Sequence, residues 1–338
     1  MKKFWILFIT IFALAACGTS DDTKEGSEDQ KDKLNVYTTV YPLQFFAEQI
    51  GGELIEVDTI YPPGTDEHSF DPTQKDMMRL ADADLFFYIG LGLESFVEKA
   101  EKTLAQENVK FIATGEIIPE SDLQEGHHHH DDEDGHEGHE GHEGHHHDEA
   151  HEEHDHEGHD HDHGEFDPHV WISPKLSQSL ALSIKDELVA ALPEHAEQLE
   201  ANYEKVIASL EQLDQSFDAM AHEAKRDTFF VSHAAFGYIA DRYHLHQISV
   251  AGLNSQSEPS QKQLAALVQQ AKEENIQYVL FEQNVSSKLT EVVQKEIGAK
   301  SLTLHNLSVL TEEDLQANET YFTLMERNIE VLRQALND

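Results

Sequence analysis

Residues 173–220, SPKLSQSLALSIKDELVAALPEHAEQLEANYEKVIASLEQLDQSFDAM, decide the fold. Ser173 is a good N-cap, and Pro174 suits the first helical position, where its missing N–H would have had no partner. Leu176, Leu180, Ile184, Leu188 and Leu192 recur every four residues until Pro193 interrupts. Leu199, Tyr203, Val206, Leu210, Leu213, Phe217 and Met220 then follow at alternating spacings of four and three. This is one apolar stripe on a helix from about Glu194 to Ala224, roughly 45 Å long at 1.5 Å per residue. A coiled-coil dimer would also produce such a stripe. Because β/α patterning resumes directly after it, a rigid connector lying along two lobes is the better reading.

Working outward, short β-rich runs alternate with amphipathic ones on both sides of the connector. Strands are expected at Leu34–Val40, Leu54–Ile60, Leu85–Tyr88 and Val109–Ile112, and again at Thr228–Val231, Gln247–Val250, Tyr278–Phe281 and Ser301–Leu304. Helical patterns such as Phe45–Ile50, Gln74–Ala81 and Gln261–Glu274 lie between them. Alternation of this kind implies mostly parallel sheets covered by helices, so the fold class is α/β. Two groups of four strands give two β/α lobes, 34–192 and 225–338, joined by the helix of 193–224.

Between the first lobe's strands and the connector lies a tract of another kind. From His127 to His163 the chain holds sixteen of its 24 histidines and fifteen of its 66 carboxylates, with no Lys or Arg. Gly recurs every third residue around Gly135–His145, and almost nothing here can be buried to offset the entropy of ordering. A disordered loop is expected, one that binds several zinc-, copper- or nickel-like ions loosely. His142-Glu143-Gly144-His145-His146 matches the HExxH metalloprotease pattern, but that chemistry needs a stable helix, which this composition disfavours.

The N-terminus reads as an export signal. Lys2 and Lys3 precede a short apolar run, Phe4 to Ala16, too short to span a bilayer as a helix. It ends at Cys17, the single cysteine, and the run resembles a bacterial lipobox in which Cys17 would carry lipid. Residues 17–33 then form a polar tether to an extracytoplasmic folded part. Without Cys17 the chain offers no thiolate ligand and no internal disulfide. With 66 acidic against 23 basic residues, most of the excess lies outside the His-rich tract. Such a surface repels phosphate backbones and suits cations, so nucleic acid is excluded as a partner. A monomer is expected.

Eight histidines lie outside the tract. His195 and His222 fall on the long helix and read as surface residues, while His244, His246 and His305 sit near second-lobe strands as ordinary surface or core residues. Three stand out by position: His68 in PPGTDEHSFDP, His169 in FDPHVWISP, and His233 directly after the strand in FFVSHAAFGYIADRY. Glu282 follows another strand in VLFEQNVSSK. In parallel α/β sheets, residues just past the carboxyl ends of strands line the ligand crevice, and two facing lobes would bring such ends together.

VYPLQFFAEQIGG, YPPGTDEHSFDPTQKD, LADADLFFYIGLGLE, FDPHVWISP, SHAAFGYIADRY and SEPSQKQL, in that order from Leu34 onward, resemble the zinc/manganese (cluster A) family of ABC-importer solute-binding lipoproteins. The resemblance implies two lobes joined by a long helix and one metal in the cleft between them. It also implies delivery of the metal to an ABC permease. Carried over by motif, His68, His169, His233 and Glu282 would hold the ion. His at the third position goes with zinc in that family and a carboxylate with manganese, and three imidazoles with one carboxylate suit tetrahedral zinc. Glu67 stands where the family often has Pro, which makes it an alternative fourth ligand beside Glu282 or water. Asp167 and Glu258 are candidates to orient imidazoles from behind. The competing functions are a zinc hydrolase using Glu67 or Glu282 as base, and a manganese receptor or adhesin of the same family. GxSxG and Walker A patterns are both missing from the chain. Binding through imidazole should weaken near pH ~6.5 if the rings are unperturbed.

Overall fold

The structure, a computed structural model, describes residues 33–126, 166–285 and 287–338. The expected signal, Cys17, the tether and the His-rich tract therefore lie outside the described residues. The expected disorder and loose ion binding between His127 and His163 lie outside them too.

The first lobe runs β1 (Leu34–Thr38), α1 (Tyr41–Gly51), β2 (Ile55–Thr59), α2 (Gln74–Ala81), β3 (Leu85–Tyr88), α3 (Val97–Thr103) and β4 (Lys110–Ala113). Two further helices follow, α4 (Pro174–Ala191) and α5 (Ala196–Glu223). The second lobe runs β5 (Thr228–His233), α6 (Gly237–Arg242), β6 (His246–Ala251), α7 (Gln261–Glu273), β7 (Tyr278–Phe281), α8 (Lys288–Ile297), β8 (Lys300–Thr303), α9 (Glu312–Ala317) and α10 (Tyr321–Asn337). Every expected strand is present, two with the expected bounds and the others with ends shifted by one or two residues. One shift matters: His233 is the last residue of β5, not the residue beyond it.

The two sheets share one topology, β2-β1-β3-β4 and β6-β5-β7-β8, with all pairings parallel. The order reverses direction between β1 and β3 in one sheet and between β5 and β7 in the other. At such switch points the loops diverge and leave a crevice past the strand ends. In the first sheet the buried Glu94 carboxylate fills that place, accepting hydrogen bonds from Thr39 Oγ1 (2.7 Å), Ile89 N (2.9 Å) and Gly90 N (3.0 Å). In the second sheet the equivalent place is lined by His233 and Glu282.

Local chemistry sets the element ends. Ser173 caps α4 by accepting from Leu176 N, as its sequence position predicts, and Thr73 and Ser260 close reciprocal capping boxes on α2 and α7. Pro193 ends the first stripe in a 3-10 turn, Pro193–His195. The second stripe forms α5, whose 28 residues span roughly 42 Å. Leu199, Val206, Leu210, Leu213, Phe217 and Met220 are all buried within the chain. They pack α5 against α1, α4 and α10. The stripe is thus consumed inside one chain and leaves no seam for a coiled coil.

Most of the hydrophobic core is shared between the lobes. One continuous cluster joins Phe46, Phe86 and Trp171 to Leu210, Phe217, Val231 and Tyr321. A smaller cluster, including Phe230, Val279 and Val293, sits under α7 and α8. Among the described residues no helix is long and apolar enough to cross a membrane.

Candidate metal centre

Each of the three histidines singled out by position arrives on a differently built support. His68 lies in the loop between β2 and α2, where Asp66 Oδ1 accepts the His68 backbone N–H at 3.0 Å. That loop is pinned by Phe70, whose ring meets Tyr61 edge-on at 4.9 Å and Phe96 at 5.8 Å. His169 follows Pro168 and leads into the wholly buried 3-10 turn Val170–Ile172. Trp171 anchors the turn by donating from Nε1 to the Asn306 carbonyl at 2.7 Å. His233 sits at the end of the central strand of its sheet.

The rings converge. His169 Nε2 lies 3.2 Å from His68 Nε2 and 3.2 Å from His233 Nε2. Among the described residues, these three form a group whose ligand atoms all lie within 4.8 Å of one another. Zinc–imidazole bonds of about 2.0–2.1 Å in a tetrahedron place two nitrogens roughly 3.3 Å apart. The observed spacings fit that edge. His169 and His233 are buried, and the His68 side chain is 7% exposed, so the centre is enclosed.

Carboxylates behind the rings fix the tautomers. Asp167 Oδ1 lies 2.7 Å from His169 Nδ1 and also accepts the His169 backbone N–H at 2.9 Å. Glu282 lies 2.8 Å and 2.9 Å from His233 Nδ1 through its two oxygens. A proton on Nδ1 leaves the Nε2 lone pair aimed at the common point. Gly237 begins α6 against this support: a Cβ there would come within 3.0 Å of Asp167 Oδ2 and 2.7 Å of Gln124 Oε1. Tyr238 then donates to the Asp167 carbonyl at 2.7 Å.

The electrostatics favour a cation. Burial lowers the His233 pKa, but the charge and hydrogen bond of Glu282, with Glu67 and Asp167, outweigh it and raise the ring to about 9. Burial alone would raise Glu282, yet His233, Ser232 and Asn306 hold it below the usual carboxylate range. Glu67 is pushed up, chiefly by burial.

Not every expected residue is where the sequence reading put it. Glu282 is not among the grouped ligand atoms, because both its oxygens are engaged behind His233 and not beside the three Nε2 atoms. Glu67 Oε1 lies 4.0 Å from His68 Nε2 and, like Glu282, is not among the grouped ligand atoms. Glu258 is a correction: it is exposed on the loop after β6 and supports no imidazole among the described residues. Asp167 behaves as anticipated. His222, His244 and His246 are exposed, His195 is half-buried, and His305 is a core residue against Asp314 at 3.2 Å. The weaker multi-ion sites expected from His127 to His163 fall outside the described residues. Sequence reasoning missed Asn306, Asn284 and Tyr238, which hold the carboxylates and loops in place. Their polar side chains follow no spacing that marks them in advance.

With the geometry in view, comparison with known proteins adds a second line. Residues 36–335 match the family described as "ZnuA: Zinc-uptake complex component A periplasmic". This chain belongs to that family. Within it, the chain is 37% identical to the high-affinity zinc uptake system protein ZnuA of Bacillus subtilis over 338 residues, covering 99% of this chain and 98% of the relative. It is 35% identical to the zinc-binding lipoprotein AdcA of Streptococcus pneumoniae, covering 99% of this chain but 61% of that longer protein. The crystal structure of the Zn(II)-bound ZnuA-like domain of S. pneumoniae AdcA superposes with a TM-score of 0.69 at 33% identity, over 90% of this chain and 100% of that domain. The two-lobed parallel α/β architecture expected from the motifs is that of the zinc-uptake component A family.

Proposed function

We propose that this chain is the extracytoplasmic zinc receptor of an ABC import system, capturing one Zn²⁺ between its lobes and handing it to the permease. The observation that carries the reading is the convergence of three imidazoles on an enclosed point, with His169 Nε2 3.2 Å from Nε2 of each of the other two. Three nitrogen donors favour zinc over the oxygen-preferring manganese. Glu67 is the fourth ligand in this reading, because its Oε1 lies 4.0 Å from His68 Nε2, within about 1 Å of the tetrahedral edge to that nitrogen. Glu282 orients His233. An enclosed site suits holding an ion, whereas a hydrolase must leave a position open to water and substrate. Attachment to the membrane through Cys17 and loose collection of ions by residues 127–163 complete the proposal. Titration of the purified protein with zinc against a competing chelator tests it: one tight site per chain supports the receptor, and none ends it.

Two further outcomes follow from the carboxylates behind the rings. Asp167→Ala removes the group that holds His169 Nδ1, and zinc affinity should drop about 10–100-fold while the circular dichroism spectrum stays native. An unchanged affinity would mean that His169 needs no such support.

The second concerns pH. Metal-free His233 holds its proton up to about pH 9. Zinc needs the neutral ring, so binding must expel that proton. Apparent affinity is therefore expected to fall about tenfold for each pH unit below about 9, well above the onset of an ordinary imidazole at ~6.5. Dissociation constants measured from pH 7 to 8.5 that do not change would contradict the assignment.

A further inference from the structure

Two buried carboxylates, Glu67 and Glu282, flank the imidazoles, yet they are held very differently. Glu282 receives short hydrogen bonds from Ser232 Oγ (2.7 Å) and Asn306 Nδ2 (2.7 Å) besides its contacts with His233. Glu67 meets Asn284 Nδ2 at 3.4 Å and Asn306 Nδ2 at 3.5 Å, both long. The Ser308 hydroxyl is shared: it is a hydrogen-bond partner of Glu67 and also lies 2.9 Å from Asn306 Oδ1.

Asn306 is the common element. It is fully buried in the loop after β8, and its backbone carbonyl accepts from Trp171. Its side-chain orientation is dictated from outside the site. Oδ1 accepts from Ser308 N at 3.1 Å and from Gln283 Nε2 at 2.7 Å. A backbone N–H can only donate, so the amide oxygen must face Ser308 and the NH₂ must face the carboxylates. One of the two N–H groups goes to Glu282. The other lies between Asn284 Oδ1 at 3.2 Å and Glu67 Oε1 at 3.5 Å, nearer the former.

We propose that Asn306 is a positioning residue that divides labour between the two carboxylates, keeping Glu282 on His233 and leaving Glu67 available for the fourth position on the ion. The inference rests on the zinc reading above. It makes Asn306 a determinant of which oxygen the metal meets, although Asn306 itself does not touch the metal. Without its NH₂, Glu282 is released toward the ion and competes with Glu67.

A double-mutant cycle on the full chain, read by chelator-competed zinc titration, tests this. Glu67→Gln alone, which keeps an amide oxygen able to ligate weakly, should weaken zinc binding about 10–100-fold, less than loss of a whole ligand. In an Asn306→Ala background the same substitution should cost at least about tenfold less, because Glu282 takes over. Asn306→Asp keeps the acceptor for Ser308 and Gln283 but loses the donor to Glu282, and should show the same coupling; circular dichroism of each variant guards against a folding defect. A merely structural role would lower affinity without altering the effect of Glu67→Gln. Simple multiplication of the two effects in both backgrounds would overturn the inference while leaving the receptor reading intact. If the unaltered chain has no tight zinc site, the receptor reading fails first and the inference falls with it.

Discussion

Replacing His233 by Ala is expected to weaken zinc binding by about 10²–10³-fold. Closed zinc sites bind with apparent free energies of about 10–16 kcal/mol. One ligand in four then represents roughly 2.5–4 kcal/mol, which is about that loss in affinity. The fold should survive, because Glu282 keeps Ser232 and Asn306 as partners after the imidazole is gone. Chelator-competed titration reads the affinity and circular dichroism reads the fold. The exposed His222 on α5 serves as control, since its removal should leave the tight site untouched. Equal affinity in the His233 and control variants would remove His233 from the site.

The second large effect concerns stability. Trp171 is fully buried and stands where three parts of the chain meet. Its ring lies 5.3 Å from His169, its Nε1 donates to Asn306, and its carbonyl accepts from Ser177 Oγ and Tyr321 OH at 3.0 Å each. Trp171→Ala leaves a large cavity there and an unpaired buried carbonyl on Asn306. A loss of about 3–5 kcal/mol is expected from urea unfolding of the metal-free protein. Saturating zinc should recover part of it, since a ligand that binds the folded state stabilises that state. A loss below about 1 kcal/mol would mean that the tryptophan is not the junction it looks to be.

Much of this architecture could be read from the chain before any coordinates. Strands announced themselves as short β-branched and aromatic runs, and α5 as an apolar stripe whose period matches a helix turn. The three imidazoles were legible because each sits at a strand end or beside a Pro-bounded turn, positions that parallel sheets turn toward a crevice. What stayed hidden depends on side-chain direction. Glu282 lies one residue past β7, as expected, but sequence position does not say whether its carboxylate points at an ion or at the back of His233. Glu258 looked equally suitable and faces solvent. The shared core was also out of reach, because a stripe records that a face is buried without recording against what. Asn306 gives no signal at all: its role comes from which atoms Ser308 and Gln283 present to it.

Anomalous diffraction at the zinc absorption edge, from crystals of the zinc-loaded protein, decides whether three imidazoles hold one ion. A single dominant peak is expected about 2.0–2.1 Å from Nε2 of His68, His169 and His233 together. A dominant peak elsewhere, or one bonded to fewer than all three of these nitrogens, would contradict it.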